Sequence, residues 1–555
     1  MSRNDQSHFS QVPHVDIQRS RFKRDSRLLT TMNAGRLIPF FVDECLPGDT
    51  ATIDTASLVR MTTPIFPVMD NCYLDTYFFF VPNRLLWEHW KEFNGENNST
   101  YWTQPTEYNV PMVDAPSTGW NKGSIADYMG IPTNVSGFEV SALPFRAYSL
   151  IWNEFFRDQN YMAPAHFVKS DVHRNGRIAQ GADDIWDGIE TAIDGGSPLP
   201  VSKFHDYFTS VLPSPQKGEP MELPFFLNEK VPVGAFGENH QYYSNGLVFE
   251  SLSGAPTQSS LLGTDNVGNV TTVVDSAPGN GEVMTPSNLW ADLTSISVGT
   301  INELRQAFQI QKLLEKDARG GTRYTEILNA HFGVTSPDAR LQRPEYLGGK
   351  RVPINIDQVL QTSATSEVSP QGNTAAFSLT TDISSSFTKS FTEHGWIIGV
   401  CCIRTDHTYQ QGLDKMWSRS RRFDFYWPTL ANISEQPVFR REINISGNGD
   451  RDDDVFGYQE AWAEYRYKPS RVCGAFRSNY GQSLDSWHYA DYFGAANQNP
   501  FIADRNFMAE THVNVDRTLA VQSSVEDQFL CNFFFDATWV RPMPLYSVPG
   551  LIDHF

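Results

Sequence analysis

The 555-residue chain has little of what announces most activities. It holds six cysteines (Cys45, Cys72, Cys401, Cys402, Cys473 and Cys531), and none forms a CxxC pair. That excludes a disulfide framework and a paired-thiolate zinc site, and predicts reduced, mostly buried thiols. Long apolar runs are missing. The longest, near Trp396 to Ile403, is far short of the ~20 residues that span a bilayer. The opening MSRNDQSHFSQ has no apolar core of a secretory signal. The expectation is a protein without membrane insertion, made and assembled in a cytoplasm. Phosphate-loop (GxxxxGKS/T), nucleophile-elbow (GxSxG) and zincin (HExxH) motifs are all absent, so no common hydrolase or NTPase signature is available. Positive charge is scarce as well. Lys and Arg total 44 against 64 Asp and Glu, a net charge of −20.

The deficit of cations is uneven. Residues 1–36 carry seven basic side chains against three acidic ones, so this arm is +4 and the remainder −24. Five of the cations (Arg19, Arg21, Lys23, Arg24 and Arg27) fall within nine residues, with Phe22 among them. An acidic body with a basic arm suits a polyanion touched by the arm alone. The five cations are candidate phosphate contacts, and Phe22 is a candidate for stacking on a base or, equally, for anchoring the arm in a neighbour's core. Two alternatives stand: pairing of the cations with acidic groups on a neighbouring subunit, and a solvated, frayed terminus. At the other extreme, no Lys or Arg occurs from Val231 to Leu304, where Glu238, Glu250, Asp265, Asp275, Glu282, Asp292 and Glu303 stand. Lys217 to Val298 is rich in Gly, Ser, Thr, Asn and Pro, which predicts an exposed insertion unsuited to a phosphate backbone.

What the chain does have is aromatic and apolar mass. Hydrophobic residues make up 40% and aromatics 13%, with 38 Phe, 21 Tyr and 13 Trp. This composition is globular and favours strands. The length is well past the ~250–300 residues at which a single core stops growing, so large insertions or several domains are expected. Strand signals cluster at both ends. They cover Arg36–Leu46, Ala51–Met61, Tyr73–Val81, Trp396–Arg404, Val438–Ile445, Ala461–Tyr467, Thr511–Val521 and Cys531–Val540. These eight predict a two-sheet β-sandwich with Asn83 to Ser390 mostly inserted between its halves. Within the insertion, Asn83 is placed to cap a helix bearing Leu86, Trp90 and Phe93. Pro144 suits a first helical turn ahead of a stripe of Tyr148, Ile151, Trp152, Phe155 and Phe156. A further helix with Ile301, Leu304, Ala307 and Phe308 on one face should break at Gly320-Gly321. A short one should follow from about Arg323 to Phe332, stopped by Gly333.

No metal site is expected. The 13 histidines are scattered, and His166, His173 and His205 lack ligand spacing. Asp450, Asp452 and Asp454 alternate as in a calcium loop. Val455 stands where that loop needs glycine and Ala461 where it needs a bidentate Glu, so a solvated acidic loop is the better reading. A β-sandwich glycoside hydrolase would show a carboxylate pair, and none stands out. A phage receptor-binding or lectin-like β-sandwich protein would explain the polar insertion but not the basic arm.

Several longer segments carry a family resemblance, in order along the chain. They begin with Thr30-Thr31-Met32-Asn33-Ala34-Gly35, Pro39-Phe40-Phe41-Val42-Asp43-Glu44 and Leu46-Pro47-Gly48-Asp49-Thr50. Arg60-Met61-Thr62-Thr63-Pro64, Pro67-Val68-Met69-Asp70 and Phe79-Phe80-Val81-Pro82-Asn83-Arg84-Leu85 follow. The stretch Gln311 to Gly349, the run Val455 to Pro469, and Leu484-Asp485-Ser486-Trp487-His488 complete them. Together they resemble the major capsid proteins of gokushoviruses, small single-stranded DNA phages of the microvirus group. The resemblance implies a mainly β fold, an eight-stranded antiparallel jelly-roll β-sandwich with long helical and loop insertions. The organisation expected is a basic N-terminal arm (1–36), a capsid domain (37–555) built from both ends, and a surface insertion (217–298) within it. A non-enzymatic role is implied, with no cofactor: self-assembly into a small icosahedral shell around a single-stranded DNA genome. Implied partners are further copies of the chain, the genome, a small basic phage DNA-binding protein, and a host surface receptor met by the insertion.

Overall fold

Strands from the two ends of the chain pair with each other to make the frame. The computed structural model describes residues 17–96, 106–181, 184–221, 233–235, 248–251, 260–264, 270–273, 284–286, 289–291, 301–363, 365–367, 370–494 and 502–547. Nine strands matter for the frame: β1 (Ser20–Lys23), β2 (Ser26–Met32), β3 (Ile38–Cys45), β4 (Thr50–Met61), β5 (Cys72–Pro82), β6 (Glu345–Pro353), β7 (Thr380–Ser390), β8 (Gly395–Thr405) and β9 (Phe529–Arg541). One sheet runs β1–β9–β4–β7, with β2 also on β9; the other runs β6–β5–β8–β3. All pairings in both sheets are antiparallel. The fold is mainly β, with helical insertions.

Sequence pattern and sheet environment agree. Along β9, Phe529, Cys531, Phe533, Phe535, Ala537 and Trp539 are buried, while Leu530, Phe534 and Asp536 are exposed. This period of two belongs to a sheet with one face on the core and one in solvent. By contrast, β8 reads GWIIGVCCIRT with nearly every side chain buried. Its sheet is covered on both faces. Ile397, Cys401 and Ile403 meet β9 and its neighbours, with Phe40–Phe533 rings 4.8 Å apart and Phe41–Phe535 rings 4.9 Å apart. Ile398, Val400 and Cys402 face the other way, into a second core made with Tyr148, Ile151 and Trp152. Gly399 sits where β3 and β5 press closest: an added Cβ there would lie 2.8 Å from the Phe41 Cβ and 2.9 Å from the Phe78 ring.

The helix Leu143–Ile151 carries that second core, with Pro144 in its first turn. Hydrogen bonds fix it in place: Tyr148 Oη donates to the Leu37 carbonyl, just before β3, at 2.7 Å, and Trp152 Nε1, just past the helix, donates to the Pro200 carbonyl at 2.6 Å. Helices occupy Ile301–Gly320 and Tyr324–Phe332, broken at Gly321 (φ +102°) and stopped at Gly333 (φ +67°) as the glycines predict. The chain divides into two units, residues 216–316 and the rest. The smaller unit contains a four-stranded antiparallel sheet (Val270–Val273, Ser260–Thr264, Val248–Ser251, Met284–Pro286) and the pair Val233–Ala235 with Leu289–Ala291.

Several expectations need correction. Thr511–Val521 is not a strand but holds a helical turn at Val513–Asp516. Arg517, just past that turn, donates to the carbonyls of Asp485, His488 and Ala490. Ala461–Tyr467 is not a strand either. The strand is Val455–Glu460, paired with Glu435–Phe439, and it ends where Trp462 takes a left-handed φ of +63°. Val438–Ile445 is extended only as far as Phe439, then turns at Arg440–Glu442. Asn83 opens a helical turn rather than capping it, and Trp87 at φ −144° separates Asn83–Leu86 from Trp90–Phe93. β6 and β7 lie in the frame although sequence reading had assigned them to the insertion.

Neighbouring phenylalanines on β9 provide a test of the two environments. Phe533→Ala empties a fully buried site and should cost about 3–5 kcal/mol. Phe534→Ala, on the exposed face, should cost under about 1 kcal/mol. Urea unfolding of the soluble chain measures both, and equal losses would refute the assignment of the two faces.

Candidate nucleic-acid interface

The basic arm is not a free tail in its described part. β1 pairs with the end of β9 in the register Arg21↔Val540, Phe22↔Trp539 and Lys23↔Thr538. β2 continues along the same edge of β9, with Arg27↔Phe534 and Leu29↔Asn532. Strand alternation then sorts the candidate residues. Phe22 is half-buried and packs against the core between the sheets of its own chain. Arg19, Arg21, Lys23, Arg24 and Arg27 are exposed.

Their partners divide them further. Lys23 lies 3.0 Å from Asp25, whose hydrogen bond and charge raise its pKa. Arg24 lies 2.6 Å from Asp43 and its guanidinium sits 5.5 Å over the Trp539 ring. Arg27 donates to the Asn532 side chain at 2.8 Å. Arg19, Arg21 and Arg27 have no carboxylate partner among the described residues. Around Arg27 the solvent face of the sheet carries exposed Leu29, Ile383, Leu530 and Phe534 together with Arg60. Cations beside apolar and aromatic side chains can take a backbone and a base together.

The acidic loop is engaged by its own chain. Asp452 is buried and accepts from the Ser446 amide (2.7 Å), the Ser446 hydroxyl (2.7 Å) and the Gly447 amide (2.9 Å). Burial pushes its carboxyl up, but these hydrogen bonds prevail and hold it below the usual carboxylate range. Asp453 pairs with Arg441. Elsewhere the structure brings together what sequence spacing had kept apart. Asp114 and Glu139, on two adjacent strands, meet His173, which immediately precedes a third (Arg174–Asn175), and His173 Nε2 lies 2.9 Å from Asp114. All three side chains are about half exposed, and the geometry is that of a solvated ion pair.

A buried charge cluster escaped sequence reading altogether. His407 lies between Asp491 (Nδ1, 2.9 Å) and Glu510 (Nε2, 3.0 Å). Lys203 Nζ sits 3.2 Å from Asp491, and Asn514 donates to the other Asp491 oxygen at 2.7 Å. Burial pulls the imidazole down, but Glu510 and Asp491 prevail and push it up to about 9. Asp491 is correspondingly lowered, since Lys203 and His407 outweigh its own desolvation.

The whole-chain comparisons follow from this frame. The family model described as "Capsid protein (F protein)" matches residues 10–551. The chain is 42% identical to "Capsid protein VP1" of Bdellovibrio phage phiMH2K, covering 100% of this chain and 99% of that one. It is 41% identical to "Capsid protein VP1" of Spiroplasma virus 4 and 39% identical to that of Chlamydia phage 1, each over 98% of this chain and 97% of the relative. The protein is therefore a structural component of a virion, not an enzyme. It belongs to the capsid protein (F protein) family, as a major capsid protein of the gokushovirus kind that its motifs resemble.

The cluster predicts a pH dependence. A histidine raised above its unfolded value of about 6.5 contributes stability that is complete below that pH and is lost as pH rises through about 9. The melting temperature of the soluble chain should therefore fall between pH 7 and pH 9.5, and His407→Gln should flatten that fall. An unchanged slope in the variant would refute the assignment. At the acidic loop, Asp452→Asn should lower the melting temperature equally with calcium and with chelator.

Proposed function

We propose that the frame is an eight-stranded jelly roll and that copies of it close into a small icosahedral shell around single-stranded DNA. The carrying observation is strand order. Apart from the short β1, the sheets read β2–β9–β4–β7 and β3–β8–β5–β6, so successive strands of the chain cross between two four-stranded sheets at every step except β5 to β6, which pair within one sheet. That order is the one a double Greek key requires. Electron microscopy of purified particles tests it: closed isometric shells are expected, and monodisperse monomers would remove the reading.

The exposed cations of the arm face the shell interior in this proposal. Lys23 and Arg24 already have carboxylates, so Arg19, Arg21 and Arg27 carry the phosphate contacts. At roughly −0.7 per phosphate on single strands, DNA binding should fall with salt at a log–log slope of about −2, rather than about −3.5 for all five. Replacing the three arginines with Gln should leave shells that retain the genome poorly. Failure to form shells at all would assign these cations to subunit contacts instead. The net charge of −20 leaves most of the genome's charge to be balanced by another species, for which a small basic phage protein is suited. The insertion at 217–298 is proposed to face outward and meet a host receptor, on the strength of its missing cations.

A further inference from the structure

The segment between the end of β8 and β9 exposes an unusual amount of aromatic surface. Trp417 is 68% exposed, Phe423 72%, and Phe425, Tyr426 and Trp427 are each at least 40% exposed. These rings do not belong to a floppy loop. Turns at Lys415–Trp417, Arg422–Asp424 and Pro428–Leu430 fix the backbone, and Asp424 accepts from the Ser420 and Arg421 amides at 2.9 and 2.7 Å. The patch is also continuous with a second stretch of chain. Tyr426 packs 5.7 Å from Trp462 and 6.2 Å from Tyr465, which is itself 52% exposed. Arg419 is clamped between them, its guanidinium 4.3 Å over Tyr465 and its Nη2 2.9 Å from Glu464.

Two properties identify the occupant. The residue types are Trp, Tyr, Phe, Met and Arg with few lysines, the signature of the central part of a protein–protein interface. The charge is inverted relative to the molecule: across 412–430 and 461–469, six cations (Lys415, Arg419, Arg421, Arg422, Arg466 and Lys468) stand against three carboxylates (Asp414, Asp424 and Glu464), in a chain of net −20. The rest of the chain taken together is acidic, so an acidic face of another copy complements it.

We infer that this face, centred on Trp417, Phe423 and Trp427, docks onto an acidic face of a second copy of the chain. The contact is head-to-tail, since a basic patch does not complement itself, and such contacts generate closed rings or shells when their rotation closes. The inference rests on the shell reading above and names one surface through which the shell would be joined.

The test places a photo-crosslinking amino acid at Phe423 in chains that assemble in infected cells. Irradiated particles should yield an adduct of twice the chain mass whose second half is the same chain. Adducts to the packaged DNA, or none at all, would overturn the inference. The double variant Trp417→Ala with Phe423→Ala should keep the melting temperature of the soluble chain while particle yield falls by roughly tenfold or more. Normal yield would also overturn it. Absence of particles from the unaltered chain would instead remove the shell reading, and this inference with it.

Discussion

One thirteen-residue strand, β9, holds the frame together. It receives β1 and β2 on one side and β4 on the other, so three strands from the first 61 residues and residues 529–541 form one hydrogen-bonded surface. Everything between is constrained to leave the frame and return to it. The cost of closing such long loops grows only slowly with their length, and the buried aromatic face of β9 offsets it. This is how a β frame tolerates insertions longer than itself.

The same strand explains what was legible in the sequence. Long strands with strong apolar patterns, β3, β4, β5, β8 and β9, were found with nearly their observed bounds. β1, β2, β6 and β7 were not, because their signals are diluted. β2 mixes Arg27 with Leu28 and Leu29, β6 contains Gly348-Gly349 beside Lys350 and Arg351, and β7 is mostly Ser and Thr. Each pairs with a strongly apolar strand that supplies the hydrophobic surface for both. Edge strands β6 and β7 in particular carry Lys350, Arg351 and Lys389, side chains that discourage pairing with foreign strands. The errors near the C-terminus have the opposite cause. Thr511–Val521 and Ala461–Tyr467 have β-branched or aromatic composition, but tertiary hydrogen bonds to Arg517 and the left-handed Trp462 override propensity.

The candidate site was legible in composition and not in geometry. Five cations in nine residues stand out in any reading, yet only pairing to β9 decides that Phe22 turns inward while the cations turn out. The aromatic patch near Trp417 was invisible as a site, since aromatics at such density read as core until their exposure is known. An acidic chain that concentrates cations on two exposed surfaces keeps most of its area mutually repulsive. Contact between copies is then favoured only where a basic face meets an acidic one, which gives orientation as well as attraction.

The buried cluster around His407 carries this logic inside the molecule. Lys203, His407, Asp491 and Glu510 come from four distant parts of the chain and sum to zero charge when the imidazole is protonated. Removing one member would leave a buried charge uncompensated, a penalty larger than the gain from the intact group. Such a cluster has one satisfactory arrangement, with each donor aimed at its acceptor. Apolar packing alone would let the irregular segment after β8 settle in several ways. The cluster makes those alternatives costly by fixing His407 at the start of that segment. Specificity within the subunit thus precedes any specificity between subunits: a face inferred to meet its copies in one orientation has to be held in one conformation first.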